Sequence, residues 1–434
     1  MTNYCRNQHH DQHRDQRHSR HVLLLGLTFL FLLSCNAVVE RDEDPKSHRR
    51  ILFEASMNYQ SRKRKRKSDR PNFLFPDMPK QKIDDNLALL RNMFKHGYDS
   101  YMYNAYPQSE LKPKSCKGAR FSLVRIPALT LIDSLDTLVI LGNFTEFSRA
   151  TERLRLLNDV GDGLFAIDQN VSLFETNIRI LGGLLSAHQL AEAYLPDHNI
   201  PLTDIYDSQG NVKFGYENNL QNLATEKTCS SWINTGSLDC SRNYNIVDSE
   251  VIENVQLTKS ADGKETTQKN KTKENIDSLG QFYEYDGILL DLAIDIGTRL
   301  LPAFATATGI PYGTVNLLYG VPPKETKISN LASAGSLSLE MELLSRLSGD
   351  KRFGRAAVLS VRALSLMRYQ DLNLYGKHAD IENGFWTEKN SGIGSNADSF
   401  YEYLLKHYLL FPEMDADVWN IFTQAYDGIF QHNR

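Results

Sequence analysis

Along most of its length the chain repeats one pattern: apolar residues three and four positions apart, polar residues between them, in blocks a few turns long. The first block, 84–104, predicts an amphipathic helix with Leu87, Leu90, Met93 and Phe94 inward, followed by Tyr98, Tyr101, Tyr103 and Tyr106 and closed at Pro107. A more apolar helix is expected over 129–141 with Gly142 as its C-cap. A second, over 146–158, runs antiparallel to it because the link is short. In 170–194, Phe174, Ile178, Leu181 and Leu185 form an apolar face, while Glu175 and Arg179 sit four apart where they can pair. Gly182 and Gly183 each cost about 1 kcal/mol relative to Ala in a helix interior, so the pair predicts close approach of another backbone or of a ligand.

The pattern breaks at 196–280, which is rich in Asn, Asp, Ser, Thr and Lys and reads as a polar insert. Helical spacing returns over 285–301, ended by Pro302, then over 332–347 and 352–366, which are joined by Ser348-Gly349-Asp350, and finally over 416–430. Between these, alternation at 314–317 predicts a short β-hairpin, and 380–387 a turn and short strand. A glycine-rich turn at 391–396 leads into a helix opening near Asp398, with Glu402 one turn on. The fold class is therefore all-α, with roughly ten helices.

The N-terminal part of the chain adds a location. Residues 1–21 are rich in His and Arg, 22–33 are apolar, and Cys35 and Ala37 are small, as in a secretory signal cleaved after Ala37. A retained anchor over 22–39 is the alternative, and either places the remainder in a lumen. The expected organisation is a signal over 1–37, a polar basic linker over 38–82, and a domain over 83–434 carrying the 196–280 insert. The run 62–67 is basic but reads as a solvated linker or processing site in a lumenal protein.

Composition narrows this little. Net charge is −4, which gives no drive toward nucleic acid; 20 Tyr, 20 Phe and 3 Trp can serve a core or stack on sugars. Of five cysteines, Cys5 and Cys35 fall in the leader, and Cys229 and Cys240 are the expected disulfide in an oxidising lumen, leaving Cys116 over. Asn143, Asn170 and Asn270 head Asn-x-Ser/Thr sequons, and Asn270, in the insert, is expected to carry a glycan. Asp133 and Asp136, three apart on a very apolar helix, must face water, a partner or a pocket, because an unpaired buried charge is costly.

Four stretches carry a resemblance: Phe174-Glu175-Thr176-Asn177-Ile178-Arg179, the Asp133/Asp136 helix, Gly309-Ile310-Pro311-Tyr312-Gly313, and Gly394-Ser395-Asn396-Ala397-Asp398-Ser399. In this order they resemble motifs of glycoside hydrolase family 47, the class I α-1,2-mannosidases, and are most similar to its ER degradation-enhancing α-mannosidase-like branch. The resemblance covers about 84–430 minus the insert. It implies an (α/α)7 barrel of which this sequence, read to Arg434, matches the front part, so that an incomplete barrel is expected. The segment 118–127 lacks the family's polar run, and Asn396 replaces both the Arg of the processing enzymes and the Gly of the degradation branch, which leaves the mannose branch open.

The resemblance further implies inverting hydrolysis of terminal α-1,2-linked mannose on high-mannose N-glycans in the ER, in ER-associated degradation. Glu175 takes the role of general acid and Asp398 that of second carboxylate. Arg179, Asp133, Asp136, Glu340 and Glu402 are the implied glycan contacts, although a plain salt bridge explains Glu340 equally well. Ca²⁺ is implied as cofactor, but no metal ligand is expected within this sequence: the family's calcium Thr, a base Glu and a further pocket Glu are expected beyond Arg434. ER chaperones or oxidoreductases are the implied protein partners. Without those later motifs, a lectin-like glycan-binding factor that does not turn over is the second expectation.

Overall fold

The computed structural model of the chain describes residues 78–213, 282–411 and 416–432. The 1–37 signal, most of the 38–82 linker, insert residues 214–280, the Cys229–Cys240 pair and Asn270 lie outside the described residues. So does Arg434, the position beyond which the calcium Thr is expected. The expected domain limit at 434 is therefore traced only as far as residue 432.

Helices dominate, as the periodicity predicts. In order they are α1 (Lys80–Asn104), α2 (Leu129–Ile140), α3 (Phe144–Asn158), α4 (Leu173–Thr176), α5 (Gly182–Tyr194), α6 (Leu202–Ile205), α7 (Ile288–Leu300), α8 (Leu331–Gly335), α9 (Ser338–Ser348), α10 (Arg352–Leu366), α11 (Asp398–Leu410) and α12 (Ala416–His432). The strands are short: β1 (Glu110–Lys112) and β2 (Lys117–Ala119) pair antiparallel, β3 (Asn170–Ser172) pairs with β4 (Thr314–Asn316), and β5 (Ile328–Asn330), β6 (His378–Asp380) and β7 (Phe385–Glu388) form a three-stranded sheet.

The packing core is built where apolar faces meet. α2 packs on α5, α5 on α7, α7 on α9, and α9 on both α10 and α11. Leu131, Ile132 and Leu135 of α2, Leu184 of α5, Leu289 and Ile296 of α7, and Met341 and Leu344 of α9 are fully buried in one cluster. Each such burial stabilises by about 1.5–3 kcal/mol relative to exposure. A second cluster joins Leu364 of α10, Tyr375, Ile381, and Phe400 and Leu404 of α11.

Gly142 ends α2 as expected. Its φ is +82°, and the N–H groups of Gly142 and Asn143 donate to the carbonyls of Val139 and Leu138, a double closure that a left-handed residue makes possible.

Four expectations need correction. On α1, Leu87, Leu90 and Met93 are exposed, not inward (36%, 54% and 61%), and burial starts only at Tyr98, Tyr101 and Met102. Amphipathic spacing sets which residues share a stripe, but no described element packs on the first turns of α1. The 332–347 helix is two helices, α8 and α9, broken at Ser336-Leu337. The alternation at Thr314 makes a strand, but its partner is β3, far away in sequence; the local turn contributes only the isolated Asn316–Gly320 bridge. The stretch 170–194 is not one regular helix: β3 leads into α4, then a wide π turn over Asn177–Leu181, then α5. Of the expected apolar face, Leu181 and Leu185 are buried but Phe174 and Ile178 only partly so; Leu173, Ile180 and Leu184 are buried as well, because the extra residue in the π turn shifts the phase of the stripe.

α3 ties several segments together through charge. Buried Glu146 accepts from Arg153 (2.7 Å) and Tyr98 Oη (3.0 Å), and Arg153 Nη2 also donates to the Lys213 carbonyl (2.7 Å). Arg155 donates to Asp286 (2.8 Å), beyond the insert. Pro201 and Phe282 form an antiparallel bridge, and Tyr283 N donates to Ile200 O. Burial pushes the His188 imidazole down to about 4, so the ring that meets Tyr285 Oη at 2.9 Å is neutral at ordinary pH. The two edges of 214–281 therefore converge on one place.

Candidate active site

Glu175 lies on the first turn of α4. Ser172 caps this turn, its Oγ accepting from Glu175 N (3.4 Å), and β3 is in turn fixed by its ladder with β4. The Glu175 carboxylate accepts from Arg179 Nε at 2.7 Å across the π turn, and Arg179 Nη1 lies 3.7 Å from Asp133 Oδ2 on α2. Phe121 lies across the Arg179 guanidinium, 5.4 Å from its ring centre. Glu175 is 21% exposed, Arg179 38% and Asp133 48%, so the array opens to solvent on one side. Partial burial raises the Asp133 carboxyl above its ordinary range, Arg179 opposes this, and Asp136 and Glu175 add to it.

Asp136 faces α5. Its Oδ2 accepts from Ser186 Oγ (3.1 Å) and its Oδ1 from Thr137 Oγ1 (3.2 Å); burial raises its pKa and these donors limit the rise. It is a helix-to-helix tie more than an open ligand group.

The glycine pair does what its cost implies. A Cβ on Gly183 would lie 3.3 Å from the Ile132 carbonyl, so α5 approaches α2 backbone-close. A Cβ on Gly182 would lie 3.4 Å from Glu340 Cγ, so this glycine makes room for a carboxylate from α9.

Glu340 is the node of the site. Asn177 Nδ2, in the π turn, donates to its Oε2 at 2.8 Å, and Tyr403 Oη, on α11, donates to its Oε1 at 2.9 Å. One carboxyl thus links the helix of Glu175 to the helix of Asp398. Burial raises its pKa, and the two donors only moderate the rise. A carboxyl raised in the folded state favours folding fully below its ordinary value near 4.5, and that contribution is lost as pH climbs through the raised value. Glu340→Gln, whose amide can donate to Tyr403 Oη and accept from Asn177, is therefore expected to melt above wild type at neutral pH, with the gap closing on acidification. Thermal melts across the carboxylate range read this directly, and a gap that widens toward acid rules it out.

Asp398 is the first residue of α11 and is exposed. Its Oδ1 accepts from Ser399 N (2.9 Å), and Ser336 Oγ donates to Ser399 Oγ (2.8 Å), which pins this end of α11 to the α8–α9 link. Glu402 is 59% exposed and pairs with Lys406 at 3.3 Å. Neither makes a hydrogen bond to Glu175. The structure therefore brings together Glu175, Arg179, Asp133 and, through Asn177, Glu340; Asp136 is adjacent, whereas Asp398 and Glu402 lie on the same helix as Tyr403 and make no bond to Glu175, Arg179 or Glu340. Sequence reasoning missed Asn177, Tyr403, Ser186 and Phe121. Asn177 stood within the quoted motif, and Tyr403 lies next to Glu402, but only folding shows that they share one carboxylate.

Among the described residues no three His, Cys, Asp or Glu side chains converge as a metal cage, and both Glu340 oxygens already accept protein donors. These residues alone do not fit a Ca²⁺ ion.

Comparison with known protein families matches residues 93–434 to glycosyl hydrolase family 47. Alpha-mannosidase I MNS4 of Arabidopsis thaliana is 36% identical over 358 residues, covering 82% of this chain and 42% of that protein. ER degradation-enhancing alpha-mannosidase-like protein 2 of Homo sapiens is 35% identical over 360 residues, covering 78% of this chain and 46% of that protein. Among solved structures, the alpha-1,2-mannosidase from Trichoderma reesei superposes with a TM-score of 0.52 at 22% identity, over 80% of this chain and 55% of that one. The chain spans less than half the length of these curated relatives.

Proposed function

Because this chain belongs to glycosyl hydrolase family 47 and shares its all-α, (α/α)7-type fold, we propose that it acts on high-mannose N-glycans as an α-1,2-mannosidase. The family resemblance extends the proposal to the ER lumen and to degradation of misfolded glycoproteins, with ER chaperones or oxidoreductases as protein partners. The observation that carries it is the Glu175–Arg179–Asp133 array, open to solvent on one side and braced on the other by the Glu340 node.

In this reading Glu175 delivers a proton to the glycosidic oxygen, and Arg179 fixes the direction of its carboxyl. Asp398, on the surface of α11, is the second carboxylate and relays a proton through water, while a water attacks the anomeric carbon from the face opposite the leaving oxygen and so inverts it. Asp133, Asp136, Glu340 and Glu402 supply or brace contacts to sugar hydroxyls.

The exposure of Asp398, and its bond to its own neighbour's N–H, favour a second reading: glycan binding without turnover. Incubation with a reducing-end-labelled high-mannose oligosaccharide separates the two. Loss of single mannoses with β-mannose as first product supports inverting hydrolysis, and α-mannose as first product sinks inversion. Retention of the intact glycan on immobilised protein without mannose loss supports the second reading. Neither loss nor retention overturns both.

A further inference from the structure

Two sequons lie on core elements, where burial would exclude a bulky modification. The structure shows the reverse. Asn143 is exposed at the cap of α3, and its Oδ1 accepts from Glu146 N at 3.3 Å. Asn170 is exposed at the start of β3, and its Oδ1 accepts from Asn316 Nδ2 at 2.9 Å. In both, the structural bond uses only the amide oxygen, and no described residue accepts from Nδ2. Thr145 and Ser172 complete the Asn-x-Ser/Thr signals.

We propose that Asn143 and Asn170 both carry N-linked glycans. The step forms a bond from Nδ2 to C1 of the first sugar. One Nδ2 proton is lost, and a lipid-linked pyrophosphate leaves with the electrons of the broken C1–O bond; the lipid-pyrophosphate oligosaccharide is the co-reactant. The product keeps the side-chain carbonyl, so the α3 cap survives, as does the Asn316 bond that holds β4 against the strand leading to Glu175. An exposed amide that uses only its oxygen tolerates this substitution; one that donated through Nδ2 into the core would not. The inference rests on the proposed lumenal location, because the sugar donor acts there.

The test translates the full chain with microsomes and reads two things from one sample. Protection from added protease reports entry into the lumen. Peptide mapping after an amidase that releases N-glycans reports each modified Asn as Asp. Protected chain with Asp at both 143 and 170 is the expected result, and Asn170→Gln removes one step of the electrophoretic shift. Thr145→Ala removes another without touching the α3 cap residue, so a folding defect of Asn143→Gln does not blur the reading. Protected chain with both peptides still Asn overturns the inference and leaves the lumenal reading standing; modification of one site overturns it for the other. Chain open to protease and unmodified overturns both together.

Discussion

Glu175→Gln is expected to cut mannose release by about 10²–10⁴-fold, the usual worth of a positioned general acid or base, while glycan binding and melting temperature stay near wild type. The amide oxygen can still accept from Arg179 Nε, and the cap from Ser172 Oγ to the backbone of residue 175 does not involve the carboxyl. The Glu175–Arg179 pair is partly exposed, and such pairs contribute about 0–1 kcal/mol to stability. Proton delivery is the one thing the amide cannot do. Turnover and binding measured on the same high-mannose oligosaccharide check this. A variant that keeps turnover within about tenfold of wild type removes Glu175 from the acid's role.

The largest stability effect is expected at Gly335→Ala. A methyl there would sit 2.3 Å from Phe400 Cδ2, far inside van der Waals contact. Phe400 is fully buried and packed edge-on against Tyr375 at 5.0 Å and Tyr401 at 5.4 Å, so its ring has nowhere to turn. Accommodation must come from moving α11 off α8, which strains the Ser336–Ser399 bond and the Tyr403–Glu340 link. Overpacking of this kind costs about 3 kcal/mol, which lowers the melting temperature by roughly 4–5 °C for a domain of this size. Phe400→Leu in the same chain relieves the clash and recovers part of the loss. A Gly335→Ala melt within about 2 °C of wild type contradicts the packing described here.

Much of this was legible in the residues. The period of three and four located α2, α3, α7, α10 and α12, because burial against a neighbour is what fixes such a helix. The Glu175–Arg179 pair was read from spacing alone and is present. The Gly182-Gly183 cost correctly announced a close approach, though spacing could not say that one glycine meets the Ile132 carbonyl and the other a carboxylate. What was not legible depends on distant partners. The π turn sets Asn177 against Glu340, 163 positions away, and no local pattern encodes that. The inward face assigned to α1 failed for the same reason: periodicity gives a stripe, not its neighbour. The pairing of β4 with β3 rather than with a hairpin mate is another long-range choice.

The convergence of residues 200–213 with 282–286 on α3 has a topological consequence. The bridge between Pro201 and Phe282, the Arg153 bond to Lys213 and the Arg155 bond to Asp286 clamp both ends of 214–281 to one patch. The points where the chain leaves and re-enters the described body, residues 213 and 282, thus adjoin. For a flexible connection between two such points, each doubling of length costs only about 0.6 kcal/mol. That patch is a splice point where evolution or an engineer can change the length and content of the chain while the frame around Glu175 stays as it is.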